Sequence, residues 1–73
     1  MVEPEDRLDA ALKQLPADYR AVLVLKDMEG MKYPEIAEIL QVPVPVVRGR
    51  LHEARVCLAK LLQREVDEEK MED

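Results

Sequence analysis

Apolar residues recur three and four positions apart along most of the chain, the spacing that places side chains on one face of an α-helix. The first helix is predicted from Asp6 to Gln14. Pro16 starts the second helix, because its φ suits the first helical turn and it has no N–H to leave unpaired there. This helix is expected to end near Met28, with Gly30 as its left-handed cap. The apolar faces of the two helices consist of Leu8, Ala11, Leu12, Leu15, Tyr19, Val22, Leu23, Leu25 and Met28.

Two more helices are predicted beyond Gly30. Pro34 and Glu35 open a short third helix, and the segment Gln41-Val42-Pro43 closes it within a few residues. The fourth helix begins at Val44 and is the longest of the chain. The inward positions of the third helix are Ile36, Ala37, Ile39 and Leu40, and those of the fourth are Val47, Leu51, Ala54, Leu58 and Leu61.

The pattern therefore predicts an all-α fold, a small four-helix domain. This domain occupies residues 5–64 and follows a flexible N-terminus of residues 1–4. Residues 65–73 contain almost no apolar side chains, so we expect them to form an acidic, solvated or disordered tail.

Composition limits what such a domain does. A chain of 73 residues supports one domain with a thin core. It has no apolar run of about 18 residues and no signal peptide, so we expect a cytoplasmic protein without a membrane span. Cys57 and His52 are the single residues of their types, so neither a disulfide, a metal site nor a cofactor is expected. Without paired acids, a nucleophile with its base or a glycine-rich phosphate loop, we expect no enzyme and no small-molecule substrate.

Charge is distributed unevenly along the chain. The net charge of −5 argues at first against a nucleic-acid partner. Residues 48–64 nevertheless carry five basic residues and one acidic residue, a net charge of +4. Residues 1–47 sum to −4 and residues 65–73 to −5. One basic helix therefore lies between two acidic segments, and its cationic face is a candidate for binding phosphates.

The third and fourth helices match the layout of a helix-turn-helix, in which a short helix and a turn set a longer helix into the major groove. Ala37 fits the close crossing of the two helices, because a larger side chain would push them apart. The predicted scaffold consists of Ile36, Ala37, Leu40, Val42, Val47 and Leu51. At about 100° per residue from Val47, the outward residues of the fourth helix are Pro45, Arg48, Gly49, His52, Glu53 and Val56, flanked by Arg50 and Arg55.

Several segments stand together in the order and spacing of a known family. They are Leu15-Pro16, Glu29-Gly30-Met31-Lys32-Tyr33, Glu35-Ile36-Ala37-Glu38-Ile39-Leu40, Val42-Pro43-Val44 and Val47 through Arg55. Over roughly residues 8–62 the chain resembles region four of bacterial sigma factors, especially the extracytoplasmic-function group. The resemblance implies recognition of the minus-35 promoter element, contact with the β-subunit flap of RNA polymerase and sequestration by an anti-sigma factor.

The resemblance also implies DNA-binding roles on the fourth helix. Arg48 lies at the position of a basic DNA-contacting residue. Arg50 and Arg55 match basic positions beside the phosphates. His52 stands where a base-edge or stacking residue is found. These four residues are therefore candidate DNA contacts.

Three further candidate contacts depart from the family pattern. Val46 replaces a hydroxyl residue, Gly49 replaces a serine and Glu53 replaces an arginine, and each change removes a hydrogen-bond donor. Glu53 either accepts a hydrogen bond from cytosine or weakens binding through its charge near the phosphates. Outside the fourth helix, Gln41 replaces the turn glycine and has to take, or avoid, a left-handed conformation. Lys32 replaces a serine-type N-cap, a loss of about 1 kcal/mol unless Tyr33-Pro34 caps differently.

Two functions fit these observations. The first is promoter recognition, in which the domain binds DNA and directs transcription initiation. The alternative is a sigma-like protein-interaction module that binds an anti-sigma factor or polymerase with little DNA binding of its own, as the three departures and the acidic balance suggest. A complete sigma factor also needs a region that binds the polymerase core and melts the minus-10 element, so we expect a C-terminal domain of a longer protein or a stand-alone regulator.

Overall fold

The computed structural model describes the backbone of residues 4–71 and the side chains of residues 7–64. Helices account for nearly all of this part of the chain, and no strand occurs in it. The four predicted helices are confirmed, and none of those described combines the length and apolar character that a membrane span requires. The elements are α1 (Pro4–Gln14), α2 (Ala17–Leu23), a π-helical segment (Val24–Met28), α3 (Tyr33–Leu40) and α4 (Val44–Met71).

The ends of the helices differ from the predicted boundaries. α1 begins at Pro4, inside the segment predicted to be flexible, while residues 1–3 lie outside the described residues. α4 continues to Met71, well past the predicted end of the domain at residue 64. The side chains of residues 65–71 and the whole of residues 72–73 lie outside the description, so a solvated tail stays a prediction.

The core lies where α4 packs across α1, α2 and α3. The predicted inward residues Val47, Leu51 and Ala54 are buried on α4, and Leu58 and Leu61 are half-buried nearer its C-terminal end. The burial therefore follows the predicted stripe and weakens as α4 leaves the body of the domain. The other buried core residues are Ala11, Leu12, Leu15, Val22, Leu23, Ile36 and Ala37.

The π-helical segment changes the end of the second predicted helix. The Glu29 N–H donates to the Val24 carbonyl over 2.9 Å, so this hydrogen bond spans five residues instead of four. A π turn advances each side chain by a smaller angle than an α turn, and the residues after Leu23 therefore leave the face that α-helical spacing assigns them. The prediction that Met28 faces the core is wrong, because 57% of its surface is exposed. Gly30 takes the predicted left-handed conformation with φ 72°.

A second correction concerns Ile39 on α3. The sequence pattern places Ile39 inward, but it is 56% exposed. Ile36, Ala37 and Leu40 span one face of the helix, whereas Ile39 lies about 60° beyond Ile36 on the side away from Ala37. A helix of 8 residues buries a single face against α4 and the π-helical segment, so Ile39 is left in solvent.

The two ends of α3 are closed in different ways. At its start the Glu35 side chain accepts a hydrogen bond of 3.1 Å from the Lys32 N–H, which is the half of a capping box that does not need a serine-type N-cap. At its end Gln41 takes the left-handed conformation, with φ 59° and ψ 46°. The Gln41 Nε2 donates to the Glu38 carbonyl over 2.8 Å, and the Val42 N–H donates to the Ala37 carbonyl over 3.1 Å. These bonds satisfy helix-end carbonyls and fix the turn into α4.

Arg20 joins the end of α1 to α2. Its Nε donates to the Leu12 carbonyl over 2.9 Å, and its Nη2 donates to the carbonyls of Leu15 over 2.8 Å and Lys13 over 3.1 Å. The last carbonyls of a helix have no partner within the helix, and a cation near them also favours the helix dipole. The guanidinium group therefore caps α1 from the next helix, a contact that the sequence pattern did not predict.

Candidate DNA-binding surface

The N-terminal half of α4 presents an exposed face to solvent. The residues predicted to point outward do so, while Arg50 is half-buried on one flank. We call this face the recognition surface, and contact with DNA by its members stays a prediction. Its residues are Pro45, Val46, Arg48, Gly49, His52, Glu53 and Val56.

The predicted scaffold beneath this face is brought together largely as expected. Ile36 and Ala37 of α3 pack with Val47 and Leu51 of α4, and all four side chains are buried. Leu40 and Val42 are half-buried around the turn. This packing fixes the angle at which α4 presents its outer residues.

Two cations lie over one aromatic ring on the first flank of the recognition surface. The Lys26 Nζ is 4.7 Å from the centroid of the Tyr33 ring, and the guanidinium carbon of Arg48 is 5.4 Å from it. A ring face attracts cations, so Tyr33 holds the two positive charges near each other. Neighbouring cations of this kind are suited to a phosphate group. The sequence pattern did not predict Lys26 or Tyr33 as members of a binding site. The one feature that could have indicated them is that they lie on either side of the turn at Gly30.

Arg55 lies on the same flank of α4 as Arg48 and forms hydrogen bonds within the domain, while 51% of its side chain stays exposed. Its Nε and Nη2 donate to the two carboxylate oxygens of Asp27 over 3.0 and 2.5 Å. This hydrogen bonding lowers the pKa of Asp27 and raises the pKa of Arg55. The pair links α4 to the π-helical segment beside Lys26. The structure therefore gives the guanidinium group of Arg55 a carboxylate partner within the domain.

Glu53 is connected to α2 on the opposite flank. The Tyr19 hydroxyl donates a hydrogen bond to the Glu53 Oε2. This bond, together with the negative charge of Glu53, raises the pKa of Tyr19. The Tyr19 ring is half-buried and packs against the core, which anchors its hydroxyl group. The recognition surface therefore has a cationic flank at Arg48 and a tyrosine-bound carboxylate at Glu53.

Gly49 lies between the two flanks without a packing reason to be glycine. A Cβ added there would meet no atom within 4 Å. We expect Gly49→Ala to raise the free energy of unfolding by about 0.5–1 kcal/mol, the usual difference between these residues inside a helix. Urea denaturation followed by circular dichroism measures the change.

Gly30→Ala is the matched control, because Gly30 also has open space around a Cβ but has φ 72°. Alanine is strained in that conformation, so this variant should lose stability. A loss of stability in Gly49→Ala as well would contradict the prediction.

The short helix α3, the left-handed turn at Gln41 and the exposed face of α4 define a helix-turn-helix domain. The family model described as Sigma-70, region 4, matches residues 5–58. The chain belongs to this sigma-70 region 4 family.

Curated relatives point to the same group. The chain is 41% identical over 61 residues to the RNA polymerase sigma-H factor of Pseudomonas aeruginosa, a match that covers 84% of this chain and 32% of the relative. It is 43% identical over 61 residues to the ECF RNA polymerase sigma factor SigE of Mycolicibacterium smegmatis, covering 84% of the chain and 24% of that protein. For the ECF factor SigW of Bacillus subtilis the identity is 37% over 62 residues, with coverages of 85% and 33%.

These matches confirm the resemblance to region four of extracytoplasmic-function sigma factors. The chain spans about a third or less of the length of these relatives. The matched family is a promoter-recognition domain of sigma factors, which makes the recognition surface the candidate functional site.

Proposed function

We propose that this domain recognises the minus-35 element of a bacterial promoter and directs RNA polymerase to begin transcription there. The observation that carries the proposal is the pair of cations, Lys26 and Arg48, that Tyr33 holds beside the exposed face of α4. Transcription takes place in the bacterial cytoplasm, and the protein would act there.

The proposed complex places the N-terminal half of α4 in the major groove, which is wide enough to admit a helix. Phosphate contacts position such a helix, and contacts to base edges specify the sequence. Lys26 and Arg48 would bind phosphates on one side of the groove and Arg50 on the other. Gly49 and His52, exposed between them, would face the bases.

The free charges on α4 support this assignment. Among the described side chains neither Arg48 nor Arg50 forms an ion pair, whereas Arg55 is paired with Asp27. Unpaired cations release counterions from DNA when they bind phosphates, and this release favours binding even though the whole chain carries a net charge of −5.

The double variant Arg48→Ala/Arg50→Ala tests the proposal. If both residues contact phosphates, the slope of log affinity against log salt concentration becomes shallower by about 2. We also expect affinity for promoter duplexes at moderate salt to fall roughly tenfold. Fluorescence anisotropy with a labelled duplex, repeated across a salt series, measures both quantities.

Lys60→Ala/Arg64→Ala is the matched control, since it removes two positive charges from the same helix away from the recognition surface. This variant should keep the slope of the unchanged protein. Equal affinity and equal slope for the unchanged protein and Arg48→Ala/Arg50→Ala would overturn the proposal.

A second function is favoured by an apolar groove between α1, the end of α2, the π-helical segment and α4. Met28, 57% exposed, stands beside leucines of the neighbouring helices. Exposed methionines next to apolar grooves are suited to binding other proteins. We propose this groove as a docking site for the β-subunit flap of RNA polymerase or for an anti-sigma factor. Tight binding to such a partner without measurable promoter binding would favour the protein-interaction module. The groove is lined by Leu8, Leu12, Leu23, Asp27, Met28 and Leu58.

A further inference from the structure

We propose that Tyr19 positions the Glu53 carboxylate as a hydrogen-bond acceptor at the edge of the recognition surface, where it selects cytosine in the bound DNA. This inference rests on the proposed DNA-binding function and names a specificity of the same site. It concerns two residues on different helices, α2 and α4, that are brought together only by the fold.

The contact fixes one carboxylate oxygen and leaves the other free. Tyr19 donates to the Glu53 Oε2, and no further hydrogen bond or ion pair of Glu53 occurs among the described side chains, although Arg50 is three residues away. The Tyr19 ring packs against the core, so its hydroxyl is a fixed donor. An exposed glutamate would otherwise lose rotamer freedom on binding, and a positioned one avoids most of this loss.

Gly49 leaves room for a base edge beside this carboxylate. In an α-helix a side chain leans toward the N-terminus, over the residue one turn earlier, and Gly49 is that residue for Glu53. A Cβ at Gly49 would meet no atom within 4 Å, so the space on this side of Glu53 is open. The two departures from the family pattern therefore act together. Gly49 leaves space for a base edge, and Glu53 supplies the hydrogen-bond acceptor beside it.

A carboxylate can only accept hydrogen bonds, and this determines which base it favours. In the major groove cytosine presents its N4 amino group as a donor. Guanine and thymine present acceptors to a side chain, which repel a carboxylate. Adenine presents an amino group next to the acceptor N7, so its edge fits less well than that of cytosine. The hydrogen bond to Glu53 also raises the pKa of Tyr19.

The test is selection of bound duplexes by the whole 73-residue chain from a pool randomised around a promoter element, followed by sequencing. We expect the unchanged protein to prefer cytosine over guanine or thymine at one position by about tenfold. Glu53→Ala should lose the preference at that position alone. Glu53→Gln should shift it toward adenine, which an amide recognises. Tyr19→Phe should reduce it to roughly threefold and leave every other position unchanged, as expected of a positioning residue.

Asp18→Asn is the matched control, because it removes an exposed carboxylate one residue from Tyr19 on α2, outside the recognition surface. It should not alter any base preference. Unchanged preferences in either Tyr19→Phe or Glu53→Ala would overturn the inference while the proposed function stands. The inference would also be overturned if Tyr19→Phe weakened binding to all duplexes equally, because Tyr19 would then contribute only to the stability of the domain. Failure of the unchanged protein to bind any duplex would overturn the proposed function itself.

Discussion

Replacing Ile36 with alanine is expected to lower the free energy of unfolding by about 2–5 kcal/mol. Ile36 is fully buried where α3 packs on α4, so its removal leaves a cavity in addition to the lost apolar contacts. A single core of this size supplies only about 3–5 kcal/mol of net stability. We therefore expect a large unfolded fraction at room temperature, visible in urea titrations followed by circular dichroism, and a matching loss of DNA binding.

Ile39→Ala provides the control for this prediction. It makes the same chemical change in the same helix, three residues later, at a side chain that is 56% exposed. An exposed substitution of this kind changes stability by less than about 0.5 kcal/mol. Similar losses for the two variants would contradict the burial of Ile36 and the exposure of Ile39 described above.

Replacing Arg20 with alanine is expected to lower the free energy of unfolding by about 2 kcal/mol. The substitution removes three charge-assisted hydrogen bonds to the carbonyls of Leu12, Lys13 and Leu15. It leaves the C-terminal carbonyls of α1 without their cap and frees α1 from α2. Thermal and urea unfolding measure the loss, and amide hydrogen exchange should show that it is largest in α1.

Two variants separate the geometry of Arg20 from its charge. Arg20→Lys keeps the positive charge, but one ammonium group cannot reproduce the fork that reaches three carbonyls, so it should recover only part of the stability. Lys13→Ala removes a cation from the last turn of α1, and among the described side chains its ammonium group pairs with the exposed Asp9 alone. Its effect should be within about 1 kcal/mol. Full recovery in Arg20→Lys would show that charge alone matters.

The fold was predictable because apolar spacing reports local helix faces. Val47, Leu51 and Ala54 are buried as their spacing predicts, and the breaks at Pro16, Gly30 and Pro43 fall between elements. Met28 was not predictable, since the pattern assumes α-helical rotation and the chain adopts a π turn at Val24–Met28. Ile39 was misplaced because the spacing cannot tell how wide a face the neighbouring helices cover.

The recognition surface was predictable in position but not in its partners. Local periodicity places Arg48 and Glu53 outward, and both are exposed. The side-chain contacts of these two residues come from residues far away in sequence: Tyr33 for Arg48 and Tyr19 for Glu53. Arg55 shows the same limit, because its pairing with Asp27 joins residues separated by 28 positions. Such pairs depend on how the helices cross, which no single segment encodes.

The length of α4 has a mechanical consequence. Its 28 residues form one helix about 42 Å long, close to the longest dimension of the molecule, which measures 47 × 18 × 15 Å. The recognition surface lies in the N-terminal half of this helix. The segment with a net charge of −5 begins at residue 65, toward the C-terminal end of the helix. Among the described side chains, core contacts hold α4 from Val44 to Leu61, so the recognition surface is fixed to the body of the domain and the C-terminal end of the helix projects from it. The seating of α4 in a groove and the position of the acidic end are therefore mechanically linked.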